Sequence, residues 1–207
     1  MDGGAVPPAR LTEPAPLRDL VPQSDVVAIG PGLGRSPWAR DLFEAVLRYR
    51  TPTQPLILDA DALNLLAERD DKPRSDHWIL TPHPGEAGRL LGITAGEVQA
   101  NRLAALEHLA NRRGGVIVLK GAGTLIASPG TVSSLCERGN PGMAIPGMGD
   151  VLTGAIAGIL AQCRDPGLAT RAAVMAHAGA GDALARNGER GLLAGDVARE
   201  LRNWVNR

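Results

Sequence analysis

Four short apolar runs punctuate the chain: Val26-Val-Ala-Ile29, Leu56-Ile-Leu58, Trp78-Ile-Leu80 and Val116-Ile-Val-Leu119. Each leads into a cluster of glycines, acids or prolines. Runs this short, bounded by turn residues, read as strands buried on both faces. Between them lie stretches with helical spacing, so the order predicts an open, mostly parallel sheet with helices on both faces. Ligands bind such sheets along the carboxyl ends of the strands. Gly34, Asp59, His83, Lys120 and Asp150 are therefore expected to converge, although they are far apart in sequence.

The richest stretch is Asn140-Pro-Gly-Met-Ala-Ile-Pro-Gly-Met-Gly-Asp150, which runs straight into the apolar Val151–Leu160. A helix that starts there offers unpaired backbone N–H groups and the positive end of its dipole. Glycines let a phosphate approach those groups closely. Asp150 at the join can take a proton from a substrate hydroxyl, or it can simply satisfy the dipole of a buried helix. Val151, Leu152, Ile156, Ile159 and Leu160 share a stripe, and Gly154, Ala155 and Gly158 are expected to allow close packing.

The other clusters follow the same plan. Ser36-Pro37 is an N-cap with proline in the first turn, and its helix, to about Arg48, is expected to bury Trp38, Leu42, Ala45, Val46 and Tyr49. Asp59 and Asp61 stand at the end of the second strand, where acids can touch a ligand or cap the next helix; Asp59 is the better functional acid and Asp61 the better cap. Pro82 and Pro84 stiffen the turn that holds His83, ahead of a helix from Glu86 to Leu91. Thr94-Ala-Gly-Glu97 is a capping box whose helix is expected to run to about Arg113, with Leu103, Leu106 and Leu109 inward. Lys120-Gly-Ala-Gly-Thr124 suits a phosphate or ribose but lacks P-loop spacing. Leu125–Ala127 and Thr131–Ser134 flank Pro129-Gly130 as a hairpin. His177 reads as a core or inter-helix residue, and Leu193–Val205 closes the chain as a helix.

Composition narrows the class. Lys and Arg number 22, balancing 22 Asp and Glu, which argues against bulk nucleic-acid or anionic-membrane binding. No apolar run reaches about 18 residues, so no transmembrane helix is expected. Only Cys136 and Cys163 are present, without metal-ligand spacing, and a reducing cytoplasm is the natural compartment. Lys120 is notable because Lys72 is the sole other lysine. Residues 1–24, rich in proline, glycine and alanine, are expected to be irregular, and residues 25–207 to form a single domain.

Five motifs in order carry a family resemblance: Gly30-Pro-Gly-Leu-Gly-Arg35, Asp59-Ala-Asp-Ala-Leu-Asn64, Thr81-Pro-His-Pro-Gly-Glu86, Lys120-Gly-Ala-Gly-Thr124, and Gly139-Asn-Pro-Gly-Met-Ala144 with Gly147-Met-Gly-Asp-Val-Leu-Thr-Gly154. Together they resemble the NAD(P)H-hydrate dehydratase family, similar in fold to ribokinase, over roughly residues 25 to 205. The resemblance implies an α/β fold: a ribokinase-like three-layer αβα sandwich with a mostly parallel sheet and a late hairpin. It also implies an N-terminal truncation, since members usually begin with further βα units and nothing before Val26 reads that way. The implied reaction is repair of hydrated NADH and NADPH. ADP, or ATP, with Mg2+ phosphorylates the ring hydroxyl, and loss of phosphate restores the ring. Asp150 is the implied catalytic base. Gly34, His83, Pro84, Gly85, Glu86, Arg89 and Asp150 are the implied site for the hydrated dinucleotide. Lys120, Gly121, Ala122, Gly123, Thr124, Asn140, Gly142, Met143, Gly147, Met148 and Gly149 are the implied nucleotide site, and no protein metal site is implied. The family suggests a homo-oligomer, a tetramer, working with a separate NAD(P)H-hydrate epimerase. One departure stands out: Pro146 replaces a usual glycine and removes an N–H from the anion loop. Alternatives are a small-metabolite kinase of the same fold, of hydroxymethylpyrimidine or thiazole type, and a non-catalytic nucleotide-binding protein.

Overall fold

Alternation within each short strand decides how the layers form. The computed structural model describes residues 15–206, and its sheet comprises β1 (Val27–Ile29), β2 (Leu56–Leu58), β3 (Trp78–Leu80), β4 (Val116–Leu119), β5 (Thr124–Ala127) and β6 (Ser134–Cys136). Leu56, Leu58, Trp78, Leu80, Ile117 and Leu119 point to one apolar layer, and Ile57, Ile79, Val116, Val118 and Ile126 to the other. That is the two-residue period of a strand buried on both sides. The strands lie in the order β1-β2-β3-β4-β5-β6, with β1 to β4 parallel, β5 antiparallel to β4 and β6 antiparallel to β5.

That monotonic order fixes where the helices go. Right-handed crossovers between successive parallel neighbours all fall on the same face. The connecting helices α2 (Pro37–Tyr49), α3 (Ala60–Glu68), α4 (Pro84–Leu91), α5 (Ala95–Ala100) and α6 (Arg102–Arg113) accordingly share the first apolar layer, together with α1 (Ala15–Gln23). The opposite face is closed by α7 (Met148–Cys163) and α8 (Pro166–Leu184), with α9 (Ala194–Val205) packed on them. Gly179 and Gly181 make room on α8, since a Cβ there would meet the Trp204 ring at 2.3 Å and Met143 Sδ at 2.2 Å. This is the ribokinase-like α/β sandwich expected from the sequence. Among the described residues no helix is long and apolar enough to cross a membrane.

Several local expectations are corrected. The segment to residue 24 is not irregular throughout: α1 forms because Leu17 and Val21, one turn apart, both reach the core. Gln54 Nε2 then donates to the Val21 carbonyl at 2.6 Å and to that of Ser24, tying down the helix end. Residues 1–14 lie outside the described residues. On α2 the inward face is Ala39, Phe43 and Val46, while Trp38 is 46% exposed. The inward face thus lies one residue along from Trp38 and Leu42. The expected single helix to Arg113 is broken at Asn101, which ends α5 and caps α6 through a bond from the Ala104 N–H to its side chain. That break turns Leu103 outward, to 50% exposure, and leaves Leu106 and Leu109 buried. The returning strand of the hairpin is Ser134–Cys136, paired through Leu125↔Leu135, and so begins later than Thr131. On α7 the buried stripe is Leu152, Ile156 and Leu160; Gly154 and Gly158 face outward, with nothing within 4 Å of an added Cβ.

Candidate active site

The ladder continues past the strand ends and lines up the loops. The Asp59 N–H donates to the Ile29 carbonyl at 3.2 Å, that of Thr81 to Leu58 at 3.1 Å and that of Lys120 to Pro82 at 2.9 Å. Asp59, the Thr81–Glu86 turn and Lys120 are thereby set side by side at the carboxyl ends of β2, β3 and β4.

A buried ion pair occupies that end of the sheet. Lys120 Nζ donates to Asp59 Oδ1 at 2.7 Å, and the Asp59 side chain is 1% exposed. Thr153 Oγ1, on α7, donates to Asp59 Oδ2 at 2.8 Å. Burial alone would raise the Asp59 pKa. The Lys120 charge and hydrogen bonds from Lys120, Thr153 and Thr81 outweigh it and hold the carboxyl below the ordinary aspartate value. Asp59 is therefore a fixed anion that aims the ammonium.

His83 and Glu86 form the neighbouring wall. His83 is the N-cap of α4: its Nδ1 accepts from the Gly85 N–H at 2.9 Å, and Glu86 Oε2 accepts from the His83 N–H at 2.8 Å. A ring nitrogen that accepts carries no proton, so the proton lies on Nε2, which is 3.3 Å from Glu86 Oε1. Burial and the Lys120 and Arg89 charges keep the His83 pKa below its usual value. Glu86, 3.9 Å from Lys120 Nζ, has its own pKa raised by burial against the pull of that charge. An imidazole N–H and a carboxyl oxygen can both hydrogen-bond an uncharged amide. Arg89 is braced by Asn64 Oδ1 at 2.7 Å and the Gly85 carbonyl at 3.2 Å.

The first turn of α7 rests on the ion pair. A Cβ added to Gly149 would lie 3.2 Å from Lys120 Nζ and 3.6 Å from Asp59 Oδ2. Gly147 is the N-cap, in the left-handed region at φ 88, where a residue with a Cβ is strained. Having no side chain, it gives α7 no side-chain cap; the Met148 N–H makes a long bond to the Ile145 carbonyl at 3.5 Å. Asp150 sits exposed in that first turn, one residue from the Lys120–Asp59 contact. An anion held between the helix mouth and the ammonium would meet two positive ends together.

Two further loops are each anchored from a helix. The Lys120–Thr124 turn is held from α6, where Arg102 donates to the carbonyls of Leu119, Lys120 and Ala122. The Asn140 loop is held from α8, where Asp182 accepts from the Gly139 N–H and from Asn140 Nδ2. Asn140 Oδ1 in turn accepts from the Gly142 N–H at 3.1 Å, and Met143 packs on Gly181.

Direct contacts thus link Asp59, Lys120, Glu86 and His83, and the Cβ side of Gly149 faces that group. Gly34 joins indirectly, its N–H donating to Asp61 Oδ2 at 2.8 Å. The expected division of labour between the two acids changes: Asp61 secures the Gly34 loop rather than capping α3, and Asp59 occupies the N-cap position without a capping bond. His177 is buried between helices, as expected from the sequence, at 8% exposure. Thr153, Arg102 and Asp182 were not singled out from sequence. The sole local hint was for Thr153, the one hydroxyl in the otherwise apolar run 151–161.

A model of the NAD(P)H-hydrate dehydratase family matches residues 8–203. The bifunctional NAD(P)H-hydrate repair enzyme of Coxiella burnetii is 50% identical over 92% of this chain, and the match spans 38% of that relative's length. The ADP-dependent (S)-NAD(P)H-hydrate dehydratase of Neisseria meningitidis is 41% identical, with 91% of this chain and 67% of that one covered. Among solved structures, the ADP/ATP-dependent NAD(P)H-hydrate dehydratase of Bacillus subtilis, co-crystallised with ATP and Mg2+, is 34% identical with a TM-score of 0.80; 93% of this chain and 68% of that one are covered. A hydroxyethylthiazole kinase of Pyrococcus horikoshii shares the fold at 20% identity and a TM-score of 0.67.

Proposed function

The chain belongs to the NAD(P)H-hydrate dehydratase family, and from that premise we propose that it repairs hydrated NADH and NADPH at the expense of ADP. The observation that carries the reading is the seat of the α7 mouth, Gly147 to Asp150, on the Lys120–Asp59 pair. Asp150 takes the proton of the ring hydroxyl as its oxygen attacks the terminal phosphorus of the nucleotide. The O–P bond to the substrate forms, and the bond to the departing nucleotide oxygen breaks. The α7 N–H groups and Lys120 hold the charge that develops on the phosphoryl oxygens. Hydroxide is a poor leaving group, whereas the phosphate ester leaves readily. As the C–O bond breaks and the adjacent ring carbon gives up a proton, the ring double bond returns.

The His83–Glu86 wall and the Gly34 loop receive the nicotinamide portion. The Lys120–Thr124 and Asn140–Gly149 loops receive the nucleotide. Among the described residues no three His, Cys, Asp or Glu side chains gather to cage a metal. Mg2+ would arrive with the nucleotide phosphates, where it neutralises their charge. The reading includes a homo-oligomer, a cytoplasmic location and an epimerase working in the same repair sequence.

Incubating the protein with hydrated NADH, ADP and Mg2+ tests the proposal. Recovery of absorbance at the reduced-nicotinamide band is expected. Accumulation of a stable phosphorylated product would identify a kinase instead, and binding of ADP without any turnover would leave a nucleotide-binding protein.

A further inference from the structure

We propose that Arg102 is a positioning residue for the nucleotide: by gathering three carbonyls of the Lys120 turn, it makes the N–H groups of Gly121 and Gly123 face the ligand. The inference rests on the reading above, in which that turn holds ADP.

Arg102 opens α6, on the opposite side of the turn from α7. Its Nη2 donates to the Leu119 carbonyl at 3.1 Å and to that of Lys120 at 3.4 Å, and Nη1 donates to that of Ala122. The remaining carbonyl of the turn, that of Gly121, accepts from Thr124 Oγ1 at 3.1 Å. Every carbonyl from residue 119 to 122 therefore has a side-chain donor. The N–H of Lys120 is taken by Pro82.

No cis peptide occurs among the described residues, and a trans unit points its C=O and the following N–H in opposite directions. Drawing the Lys120 and Ala122 carbonyls toward α6 thus turns the Gly121 and Gly123 N–H groups away from it. Gly121 has φ 139 and Gly123 φ 67. An added Cβ at Gly121 would lie 3.2 Å from Arg102 Nη2, so the glycine is also what lets the guanidinium sit this close.

Arginine suits the task because its planar fork reaches several acceptors at once. A lysine is a single point charge and cannot span three carbonyls spread over residues 119 to 122. Arg102 Nε is buried without a partner, so the group is held by its two terminal nitrogens alone.

The experiment compares Arg102→Gln and Arg102→Lys with the parent protein, after thermal melts confirm folding. ADP affinity is read by calorimetry, and KM for ADP against KM for hydrated NADH in the repair assay. Arg102→Gln is expected to weaken ADP about tenfold or more, with KM for hydrated NADH unchanged within about twofold. Arg102→Lys should recover part of the loss, and it carries the test if the glutamine variant does not fold. Amide NMR signals of Gly121 and Gly123 in the ligand-free protein supply a readout that needs no nucleotide. They should shift in both variants while those of Gly147 and Gly149 stay in place. Unmoved Gly121 and Gly123 signals, or unchanged ADP affinity in a folded glutamine variant, overturn the proposal. A parent protein that fails to bind ADP would instead sink the functional reading, and the amide signals would still decide the role of Arg102.

Discussion

Lys120 Nζ and Asp59 Oδ1 meet at 2.7 Å across 61 positions of sequence, and the mouth of α7 is built on their contact. Breaking a buried pair by removing one partner typically destabilises by about 3–5 kcal/mol, because the other charge stays behind unpaired. The two halves differ here, since the Lys120 side chain is 19% exposed and that of Asp59 is 1% exposed. Lys120→Met, which strands the deeper charge, should therefore destabilise more than Asp59→Asn, and Asp59→Asn combined with Lys120→Met should cost less than the two single losses together. Urea denaturation of the three variants measures this. Strictly additive losses would show that the pair is not coupled.

Asp150 is exposed and lies in the first turn of α7. Asp150→Asn keeps the shape and removes the base. We expect turnover of hydrated NADH to fall by about 10²–10⁴, with ADP affinity and melting temperature nearly unchanged. Steady-state kinetics and calorimetry check both halves, and full activity in the asparagine variant would remove Asp150 from the chemistry.

His177 makes stability depend on pH. Burial, joined by the Lys120 charge and opposed by a bond to the Met148 backbone, lowers its pKa from 6.5 to about 4. The folded state thus favours the neutral ring. Its contribution is complete above pH 6.5 and is lost as pH falls toward 4. Linkage at about 1.4 kcal/mol per pH unit gives a loss of about 2 kcal/mol between pH 7 and pH 5. Asp59, also depressed in the folded state, adds its own loss only below the ordinary aspartate range. Urea midpoints at pH 7 and pH 5 should differ in the parent protein and differ less in His177→Gln, the remainder including His83, whose pKa is also depressed in the folded state. Equal differences in both would refute the assignment.

The features that were legible in the sequence are those set by neighbours within a turn or two. The strand cores Leu56–Leu58 and Trp78–Leu80 are apolar on both faces and bounded by turn residues. Ser36 and Thr94 cap their helices because the donors they satisfy lie three residues on. Faces and breaks were less legible. Phe43 was missed on α2 because it adjoins Leu42, so two apolar stripes one position apart compete, and only packing selects one. The turn at Asn101 was missed because an asparagine inside a helical pattern reads equally as a surface residue.

By itself the sequence determined the alternating strands and helices, the glycine loops at the strand ends and the acid at the opening of α7. Each of these follows from local spacing and backbone chemistry. The tertiary structure alone decided which groups meet: Thr153 on Asp59 across 94 positions, Asp182 on Asn140 across 42, and Arg102 on the Lys120 turn. These partners share no sequence pattern. They are brought together because successive right-handed crossovers stack the connecting helices on one face of the sheet, and because the remaining face must then be closed by the helices that follow the hairpin.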